Sequence, residues 1–308
     1  MDDALDDTTP AAMPTTSWTA PADAWGLPAT VTAGAPSPHP PARERTAGRG
    51  LLSGAGAALL AVAKYGGVLL KAGKLGPTFV SMAISLVLLT QLYGFAFGLG
   101  LLVLIAVHES GHMLFARYER VPVSAPIFLG IFGAVIGMKQ PPRDARQEAV
   151  IAIGGPVVGS LGALAVYMLA LSTPPGHTHL LLTAIAYIGF FINLFNLIPV
   201  VPLDGGRVAS AVSVWFNVIG LCIVAALLVA STTAHLSQPL LLIVLILGAF
   251  TTWKRLKTAR RNPQYLAAVP QSTRLAIGVA YVSMLALTAL GMAVSHAGLV
   301  DAGVLSVR

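Results

Sequence analysis

Charge and cysteine are what this chain has least of. Asp, Glu, Lys and Arg together make up 10% of its 308 residues, 56% are hydrophobic, and mean hydropathy is +0.78. That balance excludes an ordinary soluble domain and indicates a multi-pass membrane protein. The single cysteine, Cys222, excludes an intramolecular disulfide and any Cys-ligated metal cluster. It falls in an apolar run and reads as a buried structural thiol. Acids are scarcer than bases, 12 against 19, and only four are glutamates. Lys and Arg are absent from three loops, near Gly94, at Ser172–His179 and at Ser231–Gln238.

That last absence gives the orientation. Lys71 and Lys74, the Arg117–Arg146 loop, Arg207 and Lys254–Arg274 all fall on the other side of the hydrophobic spans. By the positive-inside rule those loops and the amino terminus are cytoplasmic, and the short carboxyl end is outside. The net charge of +7 is accordingly a topology signal, and no nucleic-acid partner is expected.

Residues 1–50 are rich in Pro, Ala and Thr and begin with Asp2, Asp3, Asp6 and Asp7. This start is wrong for a signal peptide, and the stretch reads as a disordered tail. Trp18 and Trp25 are either anchors for a partner or the membrane surface or, as is usual for isolated aromatics in a tail, without a role. Residues 51–74 are apolar but interrupted by Gly66, Gly67 and three lysines, which fits an interfacial amphipathic segment. The expected fold is an all-α polytopic membrane protein with about seven transmembrane helices. The spans are read at about 76–93, 97–117, 147–171, 180–198, 208–230, 239–253 and 274–295. Between the second and third, prolines at 122, 126, 141 and 142 bracket Ile127–Lys139, which is β-branched and dotted with glycine. It reads as a short strand or hairpin dipping into the membrane beside the site.

The second span carries His108-Glu109-Ser110-Gly111-His112. Two histidines four apart on a helix share a face and can share a metal, while Glu109 sits one position round, where it reaches a water without ligating. An ionisable trio in hydrocarbon is costly, which makes it a functional site by default. The motif lies 5–9 residues before Arg117, so the metal is expected roughly 8–14 Å below the cytoplasmic end of its helix. A catalytic zinc needs a third protein ligand and an open position. The later glutamates, Glu119 and Glu148, lie at loop edges, and Phe115 stands where an extended motif would continue. Asp204 is the downstream acid in apolar surroundings, on a stretch, Pro199–Gly206, that two prolines and a Gly pair must unwind. The assigned ligands are His108, His112 and Asp204, and one Zn2+ per chain suits them, although the ligand types alone also admit Fe or Co. Asp204 paired with Arg207 is the plainer alternative.

With both motifs in view, the chain resembles the site-2 protease family of intramembrane metalloproteases. That family carries HExxH on one helix and an N-x-x-P-x-x-P-L-D-G segment later, here Asn196–Gly205, and Gly154-Gly155-Pro156 is similar to its intervening motif. The likeness covers roughly residues 70–250, and 75–300 is expected to form the metalloprotease domain. This chain is similar to the compact members, since the 26 residues from 121 to 146 are too few for a PDZ domain and the stretch after 296 too short for a CBS pair. The resemblance implies peptide hydrolysis within or near transmembrane segments of a membrane protein substrate, such as an anti-sigma factor, in a bacterial cell membrane. In that chemistry Glu109 is the base and Asn196 assists the oxyanion, although Asn196 can instead bond a neighbouring helix. Asn193 is read as structural, and Gly155 and Gly159 as a small-residue face for a close-packed helix. The rivals are a transporter or a non-catalytic scaffold holding a metal, and the single broken helix and the intact Glu109 argue against them.

Overall fold

The computed structural model describes residues 75–130, 133–233, 239–261 and 268–303, all within a unit spanning 47–308. The expected tail at 1–50 and interfacial segment at 51–74 lie outside the described residues. In order come helices α1 (Gly76–Tyr93) and α2 (Phe95–Tyr118), strands β1 (Ile127–Phe128) and β2 (Ala134–Val135), then α3 (Ala145–Ser172) and α4 (His177–Asn196). Four more helices follow: α5 (Asp204–Val212), α6 (Phe216–Thr233), α7 (Pro239–Arg261) and α8 (Gln271–Asp301). Six of them, α1 to α4, α7 and α8, are long and apolar enough to cross a membrane, and α6 adds a shorter apolar run, Phe216–Ser231. This is the polytopic helical fold expected.

The fifth expected span, 208–230, does not exist as one helix. The chain leaves helical geometry at Ser213, with φ −160°, so α5 is a half-helix and the apolar run restarts at Phe216. Hydropathy cannot register such a break, because Ser210 and Asn217 on either side of it bond each other (2.6 Å) rather than lipid or water. Cys222 is likewise not buried but exposed on α6. In a membrane an apolar run faces lipid as readily as protein, so apolar context alone does not predict burial.

Helix α3 packs between α2 and α4, and small residues set its distance from α2. A Cβ on Gly111 would stand 2.8 Å from the Gly154 carbonyl carbon, and one on Gly154 only 2.6 Å from the Phe115 ring. The two helices therefore meet backbone to backbone at the level of the HExxH motif.

The turn between α4 and α5 runs through Pro199 and Pro202 at membrane depth, where loose backbone groups need partners. Three distant helices supply them. Tyr281 of α8 donates to Leu197 O (2.5 Å), Thr251 of α7 donates to Val201 O (2.6 Å), and Asn217 of α6 accepts from Val201 N–H (3.2 Å). Gly205 and Gly206 press this turn against α5: a Cβ on either would lie 2.6–2.7 Å from the carbonyl oxygens of Ile198 and Val200. The Asp-Gly-Gly sequence is thus what lets Asp204 start a helix hard against the turn.

The segment expected to be a strand or hairpin is a hairpin, with Ile127 opposite Val135 and Phe128 opposite Ala134. Pairing continues at Val123 and Met138, where Ser124 N–H donates to Gly137 O (2.7 Å) and Lys139 N–H to Pro122 O (2.9 Å). Val135 and Gly137 therefore turn their backbone groups inward, to the first strand. By alternation Ala134, Ile136 and Met138 turn theirs to the opposite edge, which no strand occupies among the described residues.

Candidate metal centre

Helix α2 presents His108 and His112 on one face, and α5 opens with Asp204. Their ligating atoms form a nearly equilateral triangle: His108 Nε2 to His112 Nε2 is 3.2 Å, His112 Nε2 to Asp204 Oδ2 is 3.1 Å, and His108 Nε2 to Asp204 Oδ2 is 3.2 Å. His108 and Asp204 are buried and His112 nearly so. Ligands on a tetrahedral zinc, at roughly 2.0–2.1 Å from the ion, stand about 3.3 Å apart. The triangle has that spacing.

Hydrogen bonds behind the rings fix which nitrogen faces the triangle. Asn193 Nδ2 donates to Gly189 O (2.7 Å), which turns the amide oxygen toward His108, and His108 Nδ1 donates to that oxygen at 2.8 Å. His112 Nδ1 donates to Ile151 O at 3.0 Å. Both Nδ1 atoms being donors, both Nε2 lone pairs point at Asp204. Three electron-pair donors facing one another at this distance repel unless a cation lies between them. The residues present fit one divalent ion.

Glycines of α3 make the room. A Cβ on Gly155 would lie 2.7 Å from His108 Nε2 and closer still to the His112 ring, and one on Gly159 would press into the Asn193 amide. The small-residue face expected at 155 and 159 is real, but what approaches it is two imidazoles and an amide rather than another helix backbone. Asn193 was legible only as an Asn in an apolar helix. The signal that could have promoted it is that such an amide needs a partner.

A cavity of about 260 Å³ opens on the triangle. Glu109 lines it and has no side-chain hydrogen bond or ion pair among the described residues. Asn196 lines it too, with one amide hydrogen donated to Ile192 O of its own helix (3.1 Å) and no side-chain bond to another helix among the described residues. The edge of β2 forms another wall. Arg207 also reaches this cavity, but Asp204 pairs with the histidines instead of with it. Glu119 and Glu148 are engaged elsewhere, Glu119 with Arg146 (3.1 Å) and Glu148 with Arg255.

Together these features define a class: a multi-pass helical membrane protein with a His-His-Asp centre sunk between its helices. Residues 96–178 match the model of peptidase family M50. The chain is similar to a provisionally named zinc metalloprotease of Synechocystis, with 32% identity over 114 residues, covering 36% of this chain and 29% of that protein. It is 30% identical over 120 residues to Rip3 of Mycobacterium tuberculosis, provisionally named in the same way, with coverage of 36% and 29%. A protein of Methanocaldococcus jannaschii named a zinc metalloprotease is 29% identical over 113 residues, with coverage of 36% and 32%. The chain matches less than a third of the length of each of these relatives. Over this segment the chain is similar to peptidase family M50 and to these metalloproteases.

Proposed function

We propose that this protein is an intramembrane zinc metalloprotease that cleaves peptide bonds within or beside membrane-spanning segments of other membrane proteins. The observation that carries the reading is the 3.1–3.2 Å triangle of His108, His112 and Asp204 opening into a cavity that also holds Glu109. His108, His112 and Asp204 hold the metal, one per chain, and residues 75–300 form the catalytic domain. When bound, zinc supplies a Lewis acid that brings the pKa of water toward neutrality and polarises the scissile carbonyl. Glu109 accepts the proton of the attacking water and hands it to the leaving amine, a role suited to a buried carboxylate without another partner among the described residues. Asn196 keeps its second amide hydrogen for the oxyanion. Purified protein should hold about one equivalent of zinc, and should shorten a tagged single-span membrane protein co-expressed with it. Both properties should vanish when His108→Ala is combined with Asp204→Ala. Full metal retention by that double variant, or undiminished product from it, refutes the reading.

A helical substrate hides its scissile carbonyl in the helix ladder and must unwind. The free edge of β2 gives the unwound segment hydrogen-bonding partners where water is absent. Ile136 turns its N–H to that edge, whereas the Val135 N–H is used inside the hairpin. Ile136→Pro should then cut cleavage about tenfold or more while zinc content holds, and Ile136→Ala should stay largely active. Equal damage from Pro and Ala, measured as initial cleavage rate, would remove the docking edge from the mechanism. Membrane-bound regulators such as anti-sigma factors are the substrates that the family resemblance implies.

The ion pairs of Glu119 with Arg146 and of Glu148 with Arg255 gather the end of α2, the start of α3 and the end of α7. This supports an orientation with those basic ends in the cytoplasm, and with the amino terminus there too. In a Cys222→Ser background, a cysteine at Ser172 should react with an impermeant thiol reagent on intact cells, and one at Thr258 should not. The reverse pattern inverts the orientation.

A further inference from the structure

A two-stranded sheet has two outer edges, and a peptide that adds as a strand can join either one. Here the edge away from the metal is closed. The closure spans 126–130, where the outward-turned residues on that side are Pro126, Phe128 and Gly130; Val123, opposite Met138, lies beyond it. Pro126 carries no N–H at all. Phe128 N–H donates to Ser81 Oγ at 3.0 Å, and Gly130 N–H donates to Ser85 Oγ at 2.9 Å. Both acceptors belong to α1. Residues four apart on a helix are separated by about 6 Å along its axis, and residues two apart on a strand by about 6.7 Å. The two hydroxyls therefore follow the two amides much as the carbonyls of a neighbouring strand would. Ser85 is 1% exposed, so its loss leaves the Gly130 N–H without an acceptor in a buried position. The Phe128 ring reinforces the attachment, packed with Leu89 of α1 and Leu101, Leu102 and Ile105 of α2.

We propose that Ser81 and Ser85 are positioning residues that take the place of a third strand. They close the far edge of the hairpin and fix its register, so that its open edge at 134–138 meets a substrate strand at a set position along the metal cavity. The part concerning substrate rests on the proteolytic reading above; the tether itself does not. The serines touch neither the metal triangle nor its cavity. Their effect travels through the hairpin backbone.

Two measurements on the full chain in lipid nanodiscs test this, with Ser81→Ala/Ser85→Ala compared with Ser81→Thr/Ser85→Thr, which keeps both hydroxyls. In the first, hydrogen exchange is followed by mass spectrometry over residues 126–130. The Ala pair should exchange about tenfold faster than wild type and the Thr pair at nearly the wild-type rate. Unchanged exchange in the Ala pair overturns the proposal. In the second, products are mapped from a synthetic single-span peptide whose span is broken by a central Gly-Pro. Wild type should cut one main bond, the Ala pair should spread its cuts over bonds two residues apart, and the Thr pair should restore the single cut. Steps of two are expected because they keep the same side chains facing the cavity. Zinc content should be equal in all three proteins. A single, unshifted cut in the Ala pair overturns the proposal even if the rate falls. If wild type leaves the peptide whole, it is the proteolytic reading that fails for this probe, and exchange over 126–130 decides the tether by itself.

Discussion

Glu109→Gln should leave the metal in place and lower cleavage about 100-fold or more. Glu109 is carried on the same helix as both histidines, is 7% exposed, and faces the metal cavity without another partner among the described residues. Glutamine has the same shape and still fills that wall, but it cannot take a proton from water. The triangle of ligating atoms does not include the Glu109 side chain, so it should survive the change. Zinc analysis beside an initial-rate assay separates the two roles. Loss of metal would make Glu109 a ligand, and full activity would remove it from the chemistry.

Gly155→Ala should weaken metal binding about 10- to 100-fold, although alanine is the better helix former. The added carbon would sit 2.7 Å from His108 Nε2, closer than van der Waals contact allows, and it would also meet the His112 ring. Either the rings turn, breaking their bonds to Asn193 and Ile151, or α3 moves away from α2. Both outcomes open the triangle. Gly298→Ala is a suitable comparison, because its Cβ would meet only Thr183 Cγ2 at an ordinary 3.7 Å. A zinc titration against a competing chelator reads the effect. Equal affinity in Gly155→Ala and wild type would mean that the imidazoles are not held where the structure has them.

The grouping of His108, His112 and Asp204 was legible because the residue types involved are rare in this chain. His108 and His112 declare themselves by spacing alone, and Asp204 follows from the shortage of other acids in apolar surroundings. The spans were legible for the same reason that membranes are simple solvents: length and hydropathy decide them. What escaped were features set by distant contacts. The break at Ser213 lies inside a continuous apolar run and depends on Asn217 bonding Ser210. The bond from Asn193 to His108 joins residues 85 positions apart. Gly155 looked like a helix-packing residue because sequence shows the missing side chain but not what fills its place. The hairpin was foreseen from its prolines and β-branched residues, but which of its residues face the open edge required the register.

The turn that aims Asp204 has a consequence for how the protein is made. Its carbonyl at Leu197 is bonded by Tyr281, 84 residues further along the chain, and its carbonyl at Val201 by Thr251. The histidines enter the bilayer early in synthesis, whereas the helix bearing Tyr281 is the last described one to arrive. Until then the Leu197 carbonyl lacks its Tyr281 partner, while Thr251 and Asn217 can already hold Val201. The centre itself joins residues 92 and 96 positions apart, a high-contact-order arrangement. A nascent chain that has inserted only as far as α2 therefore carries both histidines and Glu109 without the acid that completes the triangle.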